Sequence, residues 1–125
     1  MTAHVLTTEA GARLQLVACA LRNTGTDWGL ITNSAHQPSG VTGVVQHADR
    51  LELQHAVSAT HVVSMLVTVD ETYAASGLRV GASAGLALSN LYLYSGASAT
   101  PLNPATVAAT NGNLWVTGYL LLPAA

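Results

Sequence analysis

The chain has 125 residues, half of them apolar and only 8% charged, with a formal net charge of −2. That length suits one domain with a core of its own, but the charge is far below the ~25% of an ordinary soluble domain. Arg13, Arg22, Arg50 and Arg79 are the whole basic complement, since there is no Lys, so nucleic-acid binding, which needs clustered cations, is not expected.

So few charges leave little to solvate a lone molecule's exterior, and an uncharged apolar surface invites association. At least one face is therefore expected to be covered by a partner. No apolar run reaches the ~18–20 residues of a membrane span, so insertion into a membrane is not expected. Residues 1–12 carry Glu9 and lack the basic start of a secretory signal. They read as an N-terminal arm or edge segment, on a protein made in the cytoplasm without a signal peptide.

Leu14–Arg22 is apolar on both parities and reads as a buried strand. Cys19 lies inside it as a small buried hydrophobe, and a single cysteine allows no disulfide framework. A turn cluster at 23–27 leads to a short strand, Trp28–Thr32, and then to a polar loop closing at Gly40. Val41–His47 follows, with Gly43 as an expected bulge. Leu51–His55 alternates cleanly, and His61–Val69, the most β-branched stretch, is expected to be a central strand.

Asp70 is placed to cap one short helical turn over 72–76, which Gly77 would stop. That turn is too short for a parallel crossover, which takes about a dozen residues or more, so the sheets must be antiparallel. Leu78–Ala82 and Leu86–Tyr94 are the next strands. The large residues of the second change parity at Asn90, which predicts either a bulge there or different partners on its two faces. A Pro-rich connection with a turn of helix near 105–109 and a tight turn at Asn111-Gly112 precede the last strand, Leu114–Leu121. Seven to nine short strands with regular turns predict an all-β fold. The expected form is a single antiparallel β-sandwich over 1–125, jelly-roll-like, with one short helical turn.

Gly81-Ala82-Ser83-Ala84-Gly85 matches the G-x-S-x-G nucleophile elbow. That chemistry needs an acid and a histidine later in the chain, and residues 72–125 contain no Asp, Glu or His. No catalytic residue, and no enzyme, is expected. His4, His36, His47, His55 and His61 lack metal-ligand spacing; only His47 and His55, flanking the Asp49-Arg50 turn, have a geometry that admits a weak site. No metal and no cofactor is expected. Asp70-Glu71 reads as a cap rather than an acid–base pair. Among the six aromatic residues, Tyr92 and Tyr94 share a face, and with Trp115 they are the candidate contact surface.

Several short stretches carry a resemblance: Leu21-Arg22-Asn23-Thr24-Gly25-Thr26-Asp27-Trp28, Asn33-Ser34-Ala35-His36-Gln37-Pro38-Ser39-Gly40-Val41, Val69-Asp70-Glu71-Thr72-Tyr73-Ala74, Val80-Gly81-Ala82-Ser83-Ala84-Gly85-Leu86 and Asn113-Leu114-Trp115-Val116-Thr117-Gly118. Together they resemble small β-rich structural domains of tailed bacteriophages, from minor tail proteins and tail-fibre tips. The resemblance implies a homotrimer on the virion surface, contacting other virion proteins and exposed for attachment to a host-surface glycan. Capsid decoration is the alternative within the particle, and a carbohydrate-binding module is the alternative of another class. The strand Leu86–Tyr94, apolar on both faces, is where a partner subunit is expected.

Overall fold

The computed structural model describes residues 5–7, 11–25, 27–33, 37–108 and 112–123. His4, His36 and Asn111 lie outside the described residues. The strands are β1 (Val5–Thr7), β2 (Arg13–Asn23), β3 (Trp28–Leu30), β4 (Val41–Gln46), β5 (Leu51–His55), β6 (His61–Val69), β7 (Leu78–Ala84), β8 (Leu88–Ser95) and β9 (Leu114–Leu122). One short helix, α1 (Glu71–Ala75), and a 3₁₀ turn, Pro104–Thr106, complete the regular structure. Sheet I has the order β1-β2-β9-β6, with β3 also paired to β2, and sheet II has the order β4-β5-β8-β7. Every pairing is antiparallel. The fold is thus the all-β sandwich that the turn spacing predicts.

The core lies between the sheets because alternate residues of each strand face inward. Val17, Cys19 and Leu21 of β2 join Leu114, Val116, Leu120 and Leu122 of β9 on one side. Val41, Leu51, Leu53, Leu91 and Leu93 meet them from sheet II. Each such side chain, fully buried, contributes roughly 1.5–3 kcal/mol of transfer free energy. Trp28 and Tyr73 plug one end, stacked with ring centroids 5.5 Å apart, and the Trp28 indole Nε1 donates to the Pro104 carbonyl at 3.0 Å.

The free edge of β2 is closed in pieces. β1 covers Arg13 to Gln15, β3 covers Leu21 to Asn23, and Ser39 bridges Ala18 between them. Gly40 makes that close approach possible: its φ is +74°, and a Cβ there would stand 2.8 Å from the Leu16 carbonyl oxygen.

The predicted cap at Asp70 is present. Its Oδ1 accepts from the Tyr73 N–H at 3.2 Å, and Gly77, at φ +85°, ends the turn. Asp70 does more than cap. Its other carboxylate oxygen accepts from the Asn113 N–H, and its own N–H donates to the Asn113 carbonyl at 3.2 Å. One residue therefore ties the end of β6 to the start of β9.

Two expectations need correction. Among the described residues β6 is an edge strand, paired only with β9, and β9 holds the central place. β-Branched density reports a pleated, half-buried surface rather than a position in the sheet. No bulge occurs at Asn90, since β7 and β8 pair without a break from Leu78↔Ser95 to Ala84↔Ser89. The parity change there is instead one of faces, with Leu91 and Leu93 inward and Tyr92 and Tyr94 outward. The bulge expected at Gly43 is present, between Val41 and Gly43. A second bulge lies in β6, between Val62 and Ser64, opposite Leu120 and Tyr119; Gly118 pairs with Met65 just beyond it. A Cβ at Gly118 would stand 2.2 Å from the Ser64 carbonyl oxygen, so only glycine fits beside the bulge.

Candidate functional site

With the inner faces filled by core, contact with anything else falls to the two outer faces and the loops. The outer face of sheet I can be read row by row from the register. Leu14, Leu121 and His61 form one row, and Leu16, Tyr119 and Ser64 the next. Ala18, Thr117 and Leu66 follow, then Ala20, Trp115 and Thr68. None of these twelve side chains is a carboxylate, an ammonium or a guanidinium. Leu66 is 66% exposed, and Val63, thrust out by the bulge, 58%. Arg13 and Arg22 flank the face at the two ends of β2. Their Nε atoms donate to the Pro123 carbonyl and to Asn113 Oδ1, each at 3.1 Å.

Beside Leu66 the face is hollow. Ala18, Ala20, Thr117, Trp115 and Gln37 line a shallow depression of about 200 Å³. It exists because β2 carries alanine at two successive outward positions next to the Trp115 ring. Cys19 backs it from the core side. Burial pushes the Cys19 thiol up to about 12, so it is held as the neutral thiol.

The outer face of sheet II differs in kind. Tyr92 and Tyr94 stand on β8 beside Asn90, with Arg79, Gly81 and Ser83 opposite them on β7. The Arg79 guanidinium lies 5.1 Å from the Tyr94 ring centroid and donates to the Ser98 carbonyl at 2.8 Å and to the Gly96 carbonyl. Arg50 donates to Asn90 Oδ1 at 3.2 Å and pairs with Asp49 at 2.8 Å. His47 Nε2 lies 3.2 Å from Glu52 Oε1. Aromatic rings among these hydrogen-bonding groups suit a polar, ring-shaped ligand better than an apolar one.

The three candidate contact residues are therefore not one surface. Tyr92 and Tyr94 share the outer face of sheet II, while Trp115 lies on the outer face of sheet I. Strand parity tells which residues share a side of one strand, but not which sheet that strand joins.

Ser83 of the G-x-S-x-G match is exposed on β7 and paired across to Asn90. Gly85 opens a tight turn, its N–H donating to the Leu88 carbonyl at 2.9 Å, and a strand follows rather than a helix. His47 and His55 lie at opposite ends of the β4–β5 hairpin, because Gln46 pairs with Leu51 and Val41 with His55. The hairpin thus separates the two histidines. Among the described residues no group of three metal-ligating side chains is clustered.

His55 has a structural place that its sequence context does not reveal. It is buried, with Nδ1 3.1 Å from the Leu86 carbonyl and Nε2 2.8 Å from Ser89 Oγ. A carbonyl only accepts, so Nδ1 carries the proton and Nε2 accepts from the serine. Burial lowers its pKa below the ordinary 6.5, against the opposing pull of the Leu86 carbonyl. The Tyr73 hydroxyl is the one buried side-chain polar atom without a hydrogen-bond partner among the described residues. It borders a second depression of about 260 Å³ with Ser76, Leu78, Ser95, Leu102 and Thr106.

No protein-family model matches the chain, and no curated protein or solved structure is significantly similar to it.

Proposed function

We propose that the chain is an assembling structural protein of a tailed-phage virion, a minor tail or fibre-tip component exposed for attachment to the host surface. The observation that carries this reading is the series of short motifs from Leu21 to Gly118 that resemble such domains. The uncharged outer face of sheet I supports an assembling role, because a lone molecule gains nothing from leaving it bare. The polar and aromatic outer face of sheet II, with Tyr92, Tyr94 and Arg79, supports a surface turned toward a glycan.

Electron microscopy of phage particles labelled with antibody against this chain tests the reading. Label at the tail tip is the expected result. Label spread over the head would move the role to capsid decoration, and particles without label would overturn both. Glycan-array binding by the purified protein, lost in Tyr92→Ala and kept in Trp115→Ala, is the expected outcome for attachment. Binding lost only in Trp115→Ala would contradict the division of faces.

A further inference from the structure

We infer that a second copy of this chain seats on the outer face of sheet I, about a two-fold axis running along β9, with Leu66 of each copy lodged over Ala18 of the other.

The register supplies the geometry. Thr117 pairs with Ala18 on one side and with Leu66 on the other, so the three residues lie in one row across the sheet. Leu66 is the knob of that row, and Ala18, with Ala20 behind it, is the floor of the hollow. A two-fold axis along β9 exchanges left and right while keeping position along the strand. It therefore places the β6 side of one copy over the β2 side of the other in the same row. Knob meets hole twice, as an isologous interface requires. An axis across the strands would instead set Leu66 against β6 of its partner and leave both hollows empty.

Charge and area point to the same occupant. A two-fold contact sets a face against itself, so any net charge on it would meet its own sign; the twelve row residues carry none of fixed charge. Both flanking arginines already donate within their own chain. β2, β9, β6 and the segments closing the β2 edge make the face four strands wide. At ~4.8 Å per strand and ~3.3 Å per residue over about nine residues, it projects to roughly 570 Å². The accessible area of a contoured face exceeds its projection, which brings it to the order of the ~800 Å² per partner of a stable complex. Sheets stacked this way lie ~10 Å apart, and the usual strand crossing of about 30° follows if the axis is inclined to β9 by about half that angle.

The inference deepens the assembling role proposed above, sets a two-fold pair in place of the homotrimer that the resemblance implies, and rests on that role only for the use of the contact in a particle. The contact itself belongs to the purified chain. Sedimentation of that chain through the micromolar range is expected to give a dimer. Leu66→Glu should weaken dimerisation by roughly 100-fold or more, since it buries an unpaired charge. Val45→Glu, on the outer face of sheet II, should leave the dimer intact. A double-cysteine variant tests the geometry directly: Ala18→Cys with Leu66→Cys, in a Cys19→Ala background. Within one chain those two positions are two strands apart, roughly 10 Å, with side chains pointing the same way, which no internal bridge spans; in the dimer the two side chains point at one another and close most of the gap between the sheets. Oxidation should therefore yield a disulfide-linked dimer. A monomer at every concentration, a trimer, a dimer indifferent to Leu66→Glu, or no cross-link would each overturn the proposal.

Discussion

The two outer faces of the sandwich are built from the same fold and differ in almost everything else. Sheet II turns outward Arg79, Glu52, Tyr92, Tyr94 and Asn90, flanked by Arg50 and His47 at the β4–β5 turn, and most of these are engaged with one another. Sheet I turns outward leucines, alanines, threonines, Trp115 and Tyr119, without a fixed charge in four successive rows. The shortage of charge in this chain is therefore not spread evenly. Of the charged residues, Arg79, Glu52, Arg50 and Asp49 belong to sheet II and its β4–β5 turn, Arg13 and Arg22 stand at the ends of β2, and Asp27, Asp70 and Glu71 lie in the connections.

The sharpest way to probe the difference is a matched pair of glycines, one in each sheet. Gly118→Ala forces a Cβ into the Ser64 carbonyl at the β6 bulge, where the nearest atoms are all backbone and cannot swing aside. We expect a loss of about 3 kcal/mol or more in urea unfolding. At Gly81 a Cβ would meet the Tyr94 ring at 3.5 Å, an ordinary contact. Gly81→Ala should stay within about 0.5 kcal/mol of wild type, or stabilise slightly through the unfolded state. Equal effects would mean that the bulge does not constrain sheet I.

Next in size are the side chains that lock each sheet at one end. Asp70→Ala removes a helix cap and the acceptor for the Asn113 N–H, and should cost about 1–2 kcal/mol by thermal or urea unfolding. In sheet II the corresponding lock is His55, which holds the β7–β8 turn by the Leu86 carbonyl and Ser89. Its folded pKa is lowered, so the unfolded chain binds the proton more readily than the folded one. The stability that neutral His55 contributes is fully present above about pH 6.5. It is lost as pH falls from there through the depressed folded value. Unfolding measured from neutral to mildly acidic pH should show this decline, and His55→Gln should flatten it. A decline that persists unchanged in His55→Gln would remove His55 from this role.

The smallest expected effect concerns Cys19. With its thiol pushed up to about 12 and its side chain in the core, it should resist thiol reagents at neutral pH until the protein unfolds. Rapid labelling of the native chain would show that the floor of the sheet I hollow opens.

Much of the fold is legible from local chemistry. β5 and β6 have their expected bounds, because alternation and turn residues delimit them without reference to anything distant. Asp70, Gly77 and Gly43 each announce their role through a backbone requirement that few residues meet. What stays hidden is relational. Gly118 sits in an ordinary strand sequence, and only the Ser64 carbonyl of the neighbouring strand explains why no side chain fits. β6 and β9 are both apolar nine-residue strands, and nothing in either says which is central. Tyr92 and Trp115 look like members of one surface until strand order sends them to opposite faces. The outward parity of β2 reads as a second buried face, since Leu14, Leu16, Ala18 and Ala20 are as apolar as core. Their chemistry does ask for cover: Ala20 already has it, at 2% exposed, while Leu14, Leu16 and Ala18 are only partly buried.

Oxidative footprinting of the purified protein tests this division of faces most directly, comparing dilute and concentrated samples residue by residue. Labelling of Trp115 and Tyr119 is expected to fall several-fold as the protein associates, while Tyr92 and Tyr94 keep their labelling. Protection of Tyr92 and Tyr94 with Trp115 and Tyr119 unchanged would contradict it.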